Sequence, residues 1–220
     1  RQCLAEFSMS REDLFIQTKI DALQMAEGGE KVGTYIESAI RDLGAEYLDA
    51  VCIHWPVPEY LETTWKAFLR AREKGLVRYI GICNVRMRQL CAFPISGVMP
   101  DILQIECHPL RTCKRELKFC KTNGIDVQAY SPLCKMHKDI ASNEAISGIA
   151  DAHEKSIGQV VLRWHMDSGV IPIFTSKKKC RIEEYAMLSD FSLDTEEIKT
   201  IDSLNRNYKL YLESCACPGF

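Results

Sequence analysis

The sequence lacks two features that would place it in a membrane or on a nucleic acid. No apolar run approaches the roughly 20 residues that a membrane-spanning helix needs. The 28 basic and 30 acidic side chains leave a formal net charge of −2, so no excess of positive charge is present to bind phosphate backbones or anionic lipids. These absences argue against membrane and nucleic-acid partners and favour chemistry on a small molecule.

Cysteine is abundant, but the patterns that would give it a structural role are missing. The 11 cysteines are scattered through apolar stretches, no Cys-x-x-Cys pair occurs, and no secretory leader precedes them. Cys215-x-Cys217 is only a weak metal or redox signal. We therefore expect reduced thiols, no metal site and a cytoplasmic protein.

Strand and helix patterns alternate strictly along the 220 residues, which indicates an α/β fold. No Gly-x-Gly-x-x-Gly follows a predicted strand, which argues against an open dinucleotide-binding sheet. The strands are too apolar to have a wet face, so we expect a parallel sheet covered by helices, a (β/α) barrel in one domain, residues 1–220. The predicted strands lie at 14–20, 47–53, 79–83, 102–107, 126–131 and 170–176.

The stretch from Tyr47 to Pro56 shows how such a strand ends. Six of its first seven residues are apolar or aromatic, and Trp-Pro ends the run, so His54 sits at the carboxyl end of the strand. In βα-repeat proteins catalytic side chains are usually carried at that rim. His54 is a candidate catalytic residue, and the alternative is a neutral, hydrogen-bonded core histidine.

Short motifs recur at the ends of the predicted strands and in one following helix. They are Thr18–Ile20, Ile53–Pro56, Gly81–Asn84, Gln104–Pro109, Ala129–Leu133 and Leu162–Trp164. In this order and spacing they resemble the aldo-keto reductase family, from about residue 10 to the last helices. The resemblance implies a (β/α)₈ TIM barrel of NAD(P)H-dependent carbonyl reductases. Only six of the eight βα units are found, so we expect the chain to begin after the family's second strand.

The resemblance also implies which residues carry the chemistry. Carbonyl reduction needs a proton donor and a polar clamp for the growing negative charge on oxygen. Lys19 matches the lysine that lowers the pKa of the family's acidic tyrosine, and His54 matches the histidine that orients the carbonyl. Lys19 could instead be a strand-end lysine that extends into solvent. The tyrosine and its partner aspartate match nothing here, and we expect them upstream.

The implied nicotinamide contacts lie at three strand ends. Asn84 and Gln104 would hydrogen-bond the carboxamide, and Tyr130 would stack on the ring. Asn84 could instead be a turn residue and Gln104 a satisfied core amide. Cys83 replaces the usual serine, and a thiol is the weaker hydrogen-bond partner. Two further residues match positions that meet the pyrophosphate, Ser131 and Leu133.

The segment after the last predicted strand bears on the choice between NADPH and NADH. The family commonly grips the adenosine 2′-phosphate with a lysine directly after the Ile-Pro pair and an arginine further on. Here Ile173 replaces that lysine and two extra residues precede Arg181, although the lysines at 177–179 could supply the charge. The alternative for that run is a solvated loop. NADPH is favoured, with NADH possible. The implied adenosine-side residues are Thr175, Ser176, Lys177, Arg181, Glu184 and Tyr185. Glu184 matches a carboxylate near the adenine, and Tyr185, where asparagine is usual, could stack on the base.

Trp55 and the C-terminal loop, 205–220, would line the substrate pocket, and Trp55 could equally be a core aromatic. The expected partner is a small-molecule carbonyl compound, and the protein would be a monomer or a weak oligomer. A nucleotide-binding or regulatory module without turnover is the first alternative, because the catalytic acid is missing. The second is a different barrel enzyme with Glu106 and His108 as acid and base, although these more plausibly shape a loop.

Overall fold

The computed structural model describes residues 6–93, 95 and 97–211. The Cys215-x-Cys217 pair and the last nine residues of the predicted C-terminal loop therefore lie outside the described residues. The described chain forms two compact units, the first ending at Leu103 and the second beginning at Gln104. No helix of the described part is long and apolar enough to cross a membrane.

Strands and helices alternate over the described residues, as the sequence predicts. The strands are β1 (Gln17–Ile20), β2 (Leu48–Ile53), β3 (Val77–Cys83), β4 (Ile102–Glu106), β5 (Asp126–Tyr130) and β6 (Val170–Ile173). The helices are α1 (Ala22–Ala26), α2 (Gly29–Leu43), α3 (Pro58–Glu73), α4 (Met87–Leu90), α5 (Lys114–Asn123), α6 (Lys138–Ala141), α7 (Glu144–Ala152), α8 (Ile157–Asp167), α9 (Lys179–Ala186) and α10 (Thr195–Asp202). Short 3₁₀ turns lie at Arg11–Asp13 and Cys134–Met136.

The first unit pairs its strands in parallel. Ile20 of β1 lies opposite Ile53 of β2, and Ile53 lies opposite Ile82 of β3. All six residues of β2 are buried, as expected for a strand covered on both faces. This register brings the carboxyl ends of β1, β2 and β3 to one edge of the sheet. Lys19 lies near the end of β1, and His54 and Asn84 directly follow β2 and β3, so all three residues lie at that edge.

Close packing of β3 requires a glycine at position 81. A Cβ atom there would lie 2.6 Å from the Cys52 sulfur and 2.8 Å from the Ile102 carbonyl oxygen. Both distances are shorter than real Cβ contacts allow, so only glycine fits between the neighbouring strands. The helices of this unit cover the strands with regularly spaced apolar residues, such as Val32, Ile36 and Ile40 of α2.

The opposite ends of these strands are held by a charged cluster. The Tyr47 ring lies between the guanidinium groups of Arg11 and Arg78, at 4.0 and 3.9 Å from its centroid. The buried Asp49 carboxylate pairs with Arg11 at 2.7 Å and with Arg78 at 3.5 Å. The cluster therefore ties the turn before β1 to the beginnings of β2 and β3.

The second unit contains a parallel pair and a helix with a broad buried face. β5 and β6 run from Val127 opposite Val170 to Tyr130 opposite Ile173. Ser156 caps α8 and completes a capping box with Gln159, which fixes where that helix begins. Most of α8 is buried against the rest of this unit, including Leu162, Trp164 and His165.

Five of the six strands are shorter than the sequence predicts, and β3 begins two residues earlier than predicted. Residues 14–16 precede β1 as irregular chain, and residues 174–176 leave β6 as loop. Leu14, Phe15 and Ile16 continue the apolar pattern of β1, and Phe174 continues that of β6, so periodicity alone extends these strands too far. The short helix α1, which Asp21 caps by accepting hydrogen bonds from two backbone N–H groups, was not predicted.

Candidate active site and cofactor cleft

Lys19 and His54 lie together at the carboxyl edge of the first unit. The backbone N–H of His54 donates to the Ile20 carbonyl at 2.9 Å, which continues the pairing of β1 with β2. The His54 side chain is exposed rather than part of the core, which does not fit the alternative of a buried core histidine. Partial burial and then the positive charge of Lys19 lower the pKa of His54, with Asp21 opposing them. His54 is therefore neutral at pH 7.

Trp55 and Asn84 flank this pair. The rings of His54 and Trp55 are 6.1 Å apart, and Trp55 is half-buried. Asn84 adopts a left-handed backbone, with φ 60°, and its Nδ2 donates to the His54 carbonyl at 2.9 Å. The amide thus ties the end of β3 to the end of β2. The left-handed backbone fits the alternative that Asn84 is a turn residue. The hydrogen bond to His54 also places the Asn84 carboxamide beside the predicted catalytic pair.

Cys83 lies in the core of the first unit, packed in a cluster with Ala50, Cys52 and Ile102. A hydrogen bond with the Cys52 thiol and burial raise the pKa of Cys83 well above its usual range, so the thiol stays protonated. Only 1% of Cys83 is exposed. Its contact with a nicotinamide carboxamide stays a prediction. All eight cysteines among the described residues are free.

Six of the predicted cofactor residues line one cleft in the second unit. The cleft has a volume of about 480 Å³ and lies between the turn after β5 and the segment that joins β6 to α9. The six are Ser131, Leu133, Thr175, Ser176, Arg181 and Tyr185. Residues that are distant in sequence thus share one cleft, and their contacts with a dinucleotide stay predictions.

The chemistry of the cleft suits a phosphate-bearing ligand. Three serine and threonine hydroxyl groups line it, and the Arg181 guanidinium is exposed, with no carboxylate within ion-pair distance among the described residues. Lys177 is exposed but does not line the cleft. The backbone N–H of Lys178 donates to Ser176 Oγ at 3.1 Å immediately before α9 begins. The N-terminus of α9 and the exposed Arg181 guanidinium would together favour the binding of an anion.

Tyr185 and Glu184 contribute mainly to packing. The Tyr185 ring is 8% exposed and meets Phe174 edge-on at 5.3 Å. It also presses on Gly158, where a Cβ atom would lie 2.7 Å from the tyrosine oxygen. Glu184 does not line the cleft, and its carboxylate accepts a hydrogen bond from Ser156. Stacking of Tyr185 on adenine stays a prediction.

Gln104 and Tyr130 lie outside the lining of that cleft. The Gln104 amide is buried and donates to Gln128 Oε1 at 2.7 Å, which fits the alternative of a satisfied core amide. Tyr130 is half-buried, and its ring meets that of Tyr211 edge-on at 5.9 Å. Their nicotinamide contacts stay predictions.

Glu106 and His108 are engaged in structural contacts. The buried Glu106 carboxylate accepts hydrogen bonds from the backbone N–H groups of Leu210 and Tyr211 and from His108 Nε2. Burial raises the pKa of Glu106, but these hydrogen bonds outweigh it and the pKa is lowered. The pair therefore fits the loop-shaping role that the sequence favours over an acid and a base.

One residue of the cleft, Lys135, has no signal in the sequence. It lies in the 3₁₀ turn after β5 with φ 51°, and its Nζ is 4.9 Å from the centre of the Tyr211 ring. A left-handed lysine in an irregular turn follows no periodic pattern. Only the tertiary contact with Tyr211 reveals its place at the cleft.

The chain is similar to several known oxidoreductases. A glyoxal reductase of Bacillus subtilis is 35% identical over 208 residues, which cover 94% of this chain and 74% of that protein. An uncharacterized oxidoreductase of the same organism, YtbE, is 34% identical over 96% of this chain and 74% of its own length. The crystal structure of a Bombyx mori aldo-keto reductase in complex with NADP matches with a TM-score of 0.87 and 29% identity, covering 97% of this chain and 75% of that one.

The family model agrees with these relatives. The model of the aldo/keto reductase family matches residues 1–206, which is most of the chain. The predicted fold class and the prediction of an oxidoreductase are therefore confirmed. This chain belongs to the aldo/keto reductase family.

Proposed function

We propose that this chain is an NADPH-dependent reductase of small, reactive carbonyl compounds. The observation that carries the proposal is the cleft of the second unit, because six residues chosen from sequence motifs line it. A glyoxal reductase and an aldo-keto reductase bound to NADP are among the similar proteins, which supports an aldehyde as substrate and NADPH as cofactor.

The residues of the cleft fit NADPH. Arg181 would hold the 2′-phosphate, to which the exposed Lys177 would add charge, and Ser131 with Leu133 would meet the pyrophosphate. Gln104 and Tyr130 of the same unit would orient the nicotinamide, which supplies a hydride when the cofactor is bound. The exposed arginine would favour NADPH over NADH, since NADH carries no 2′-phosphate for it to bind.

The chemistry at the substrate falls to Lys19 and His54. A neutral His54 can donate a ring N–H to the carbonyl oxygen and hold its carbon in line for reduction. The positive charge of Lys19 stabilises the negative charge that grows on that oxygen. No tyrosine here replaces the family's acid by motif: Tyr35 donates to Glu27 at 2.5 Å, and Tyr47 lies between two arginines.

The test follows NADPH absorbance while the full-length protein is mixed with glyoxal and with aldehydes such as nitrobenzaldehyde. We expect oxidation of NADPH that depends on the aldehyde. In His54→Ala we expect turnover to fall by about a hundredfold or more while the affinity for NADPH is kept. Equal loss of both in His54→Ala would assign the histidine a structural role.

The engagement of Tyr35 and Tyr47 also favours a second candidate, a module that binds the nucleotide without turnover. The same experiment separates the two candidates. Saturable NADPH binding without oxidation by any aldehyde would support the binding module. Absence of binding would reject both.

A further inference from the structure

The last described residues of the chain run past the buried Glu106 carboxylate. Glu106 Oε1 accepts from the Leu210 N–H at 2.7 Å and lies 3.0 Å from His108 Nε2. Glu106 Oε2 accepts from the Tyr211 N–H at 3.1 Å. Because a carboxylate only accepts, His108 Nε2 must carry its proton here. Three donors thus converge on one buried anion, and two of them belong to the backbone at 210–211.

The segment that these bonds hold forms part of the cleft. Tyr211 lines the cleft, is 40% exposed, and meets the Tyr130 ring edge-on at 5.9 Å. Lys135, which also lines the cleft, lies 4.9 Å from the Tyr211 ring centre. A second tether holds the same segment, because the Tyr208 N–H donates to the Leu110 carbonyl at 3.0 Å.

We propose that Glu106 is a positioning residue that fixes the segment 208–211, so that Tyr211 closes one side of the cofactor cleft. The proposal rests on the proposed function, in which this cleft binds NADPH. Glu106 itself touches neither the cleft nor a reacting atom, and it acts through the two backbone N–H groups that place Tyr211. Loss of the carboxylate should therefore release the segment and speed the departure of the cofactor.

Glu106→Gln is the sharpest variant because all three partners of the carboxylate are donors. An amide can accept on one side only, and its NH₂ group would face an N–H on the other. Loss of a charge-assisted hydrogen bond of this kind should raise the equilibrium constant for local opening of the segment by about tenfold or more. The matched control is Glu144→Gln, which removes an exposed carboxylate at the start of α7.

Trypsin gives a test that needs no cofactor. The bond after Lys209 joins it to Leu210, whose N–H is the one held by Glu106 at 2.7 Å. We expect cleavage after Lys209, followed by mass spectrometry, to be about tenfold faster in Glu106→Gln than in the wild type. Cleavage after the exposed Lys121 serves as the internal reference. Equal rates after Lys209 in the two proteins would overturn the proposal.

A double-mutant cycle tests the link to the cofactor. Stopped-flow release of NADPH should be several-fold faster in Glu106→Gln and in Tyr211→Ala, and the double variant should be no faster than Tyr211→Ala alone. Additive effects would show that Glu106 does not act through Tyr211 and would overturn the proposal. If the wild type binds no NADPH, the proposed function fails, while the trypsin test still reports on the tether.

A second variant covers the case in which Glu106→Gln does not fold. Leu210→Pro deletes the N–H that Glu106 Oε1 accepts, without touching the buried carboxylate. We expect NADPH release to accelerate in this variant as well. Release at the rate of the wild type would contradict the proposal.

Discussion

At the scale of single residues, the charge of Lys19 acts on His54. Partial burial and the lysine lower the pKa of His54, so the imidazole protonates only below its usual range. At pH 7 the neutral ring can donate a hydrogen bond to a carbonyl oxygen, and because its pKa is lowered it does not take a proton from another group. The two side chains therefore depend on each other, and that dependence can be measured.

We predict that Lys19→Met raises the pKa of His54. Removing the positive charge removes one of the two causes that favour the neutral ring, while burial and the opposing Asp21 remain. The measurement is an NMR titration of the His54 ring protons in the two proteins. An unchanged pKa would mean that the ammonium does not act on the ring.

Arg181 is predicted to select the cofactor. Arg181→Ala should weaken the binding of NADPH by about tenfold, because a charge-assisted contact with a phosphate is lost, and should change the binding of NADH little. The control is Lys199→Ala, an exposed cation on α10 that pairs with Glu196. An equal loss of affinity for NADPH and for NADH would show that Arg181 does not bind the 2′-phosphate.

At the scale of elements, the packing of β3 depends on Gly81. Gly81→Ala should destabilise the protein by about 2 kcal/mol or more, because its Cβ would overlap the Cys52 sulfur and the backbone of Ile102. Gly33→Ala, in α2, has no atom within 4 Å of the new carbon and should stabilise by up to about 1 kcal/mol. Urea unfolding measures both variants. Similar effects at the two positions would contradict the packing described for β3.

The elements themselves could be predicted from the sequence, because each depends on local periodicity. Buried strands such as β2 and amphipathic helices such as α2 can be recognised from their residue patterns without knowledge of tertiary contacts. The strand ends are harder to predict: Phe174 continues the apolar run of β6 but lies outside the sheet. Where a strand stops depends on what its neighbours pair with, and a single sequence does not contain that information.

The site was predictable only where a motif marks a strand end. Lys19, His54 and six of the residues that line the cleft were chosen from motifs, whereas Lys135 was not. The packing of Tyr185 against Gly158 depends on residues 27 positions apart, and Tyr211 meets Glu106 across 105 positions. Contacts at such separations leave no local pattern, so sequence reasoning assigns Tyr185 a stacking role and gives no tether to the C-terminal segment.

At the scale of the whole molecule, stability should depend on pH through His165. Burial lowers the pKa of His165 from 6.5 to about 3, with a hydrogen bond from its ring to the Pro132 carbonyl opposing. The unfolded chain takes up a proton below pH 6.5, but the folded protein does not until about pH 3. This group therefore contributes stability above pH 6.5 that is lost as the pH falls.

We predict that His165→Leu flattens the pH dependence of the free energy of unfolding between pH 6.5 and about 3. One proton corresponds to a slope of about 1.4 kcal/mol per pH unit, and the variant should lose that slope. Urea unfolding at pH 7, 6 and 5 gives the comparison. The same slope in wild type and variant would show that His165 is protonated in the folded protein.

The proposed function requires that NADPH bind in the cleft of the second unit. Hydrogen–deuterium exchange of the full chain, with and without saturating NADPH, tests this because it reports which segments the cofactor protects. We expect slower exchange at residues 131–136 and 173–181, the two segments that supply most of the cleft lining. Unchanged exchange in both segments, or protection confined to other parts of the chain, would contradict it.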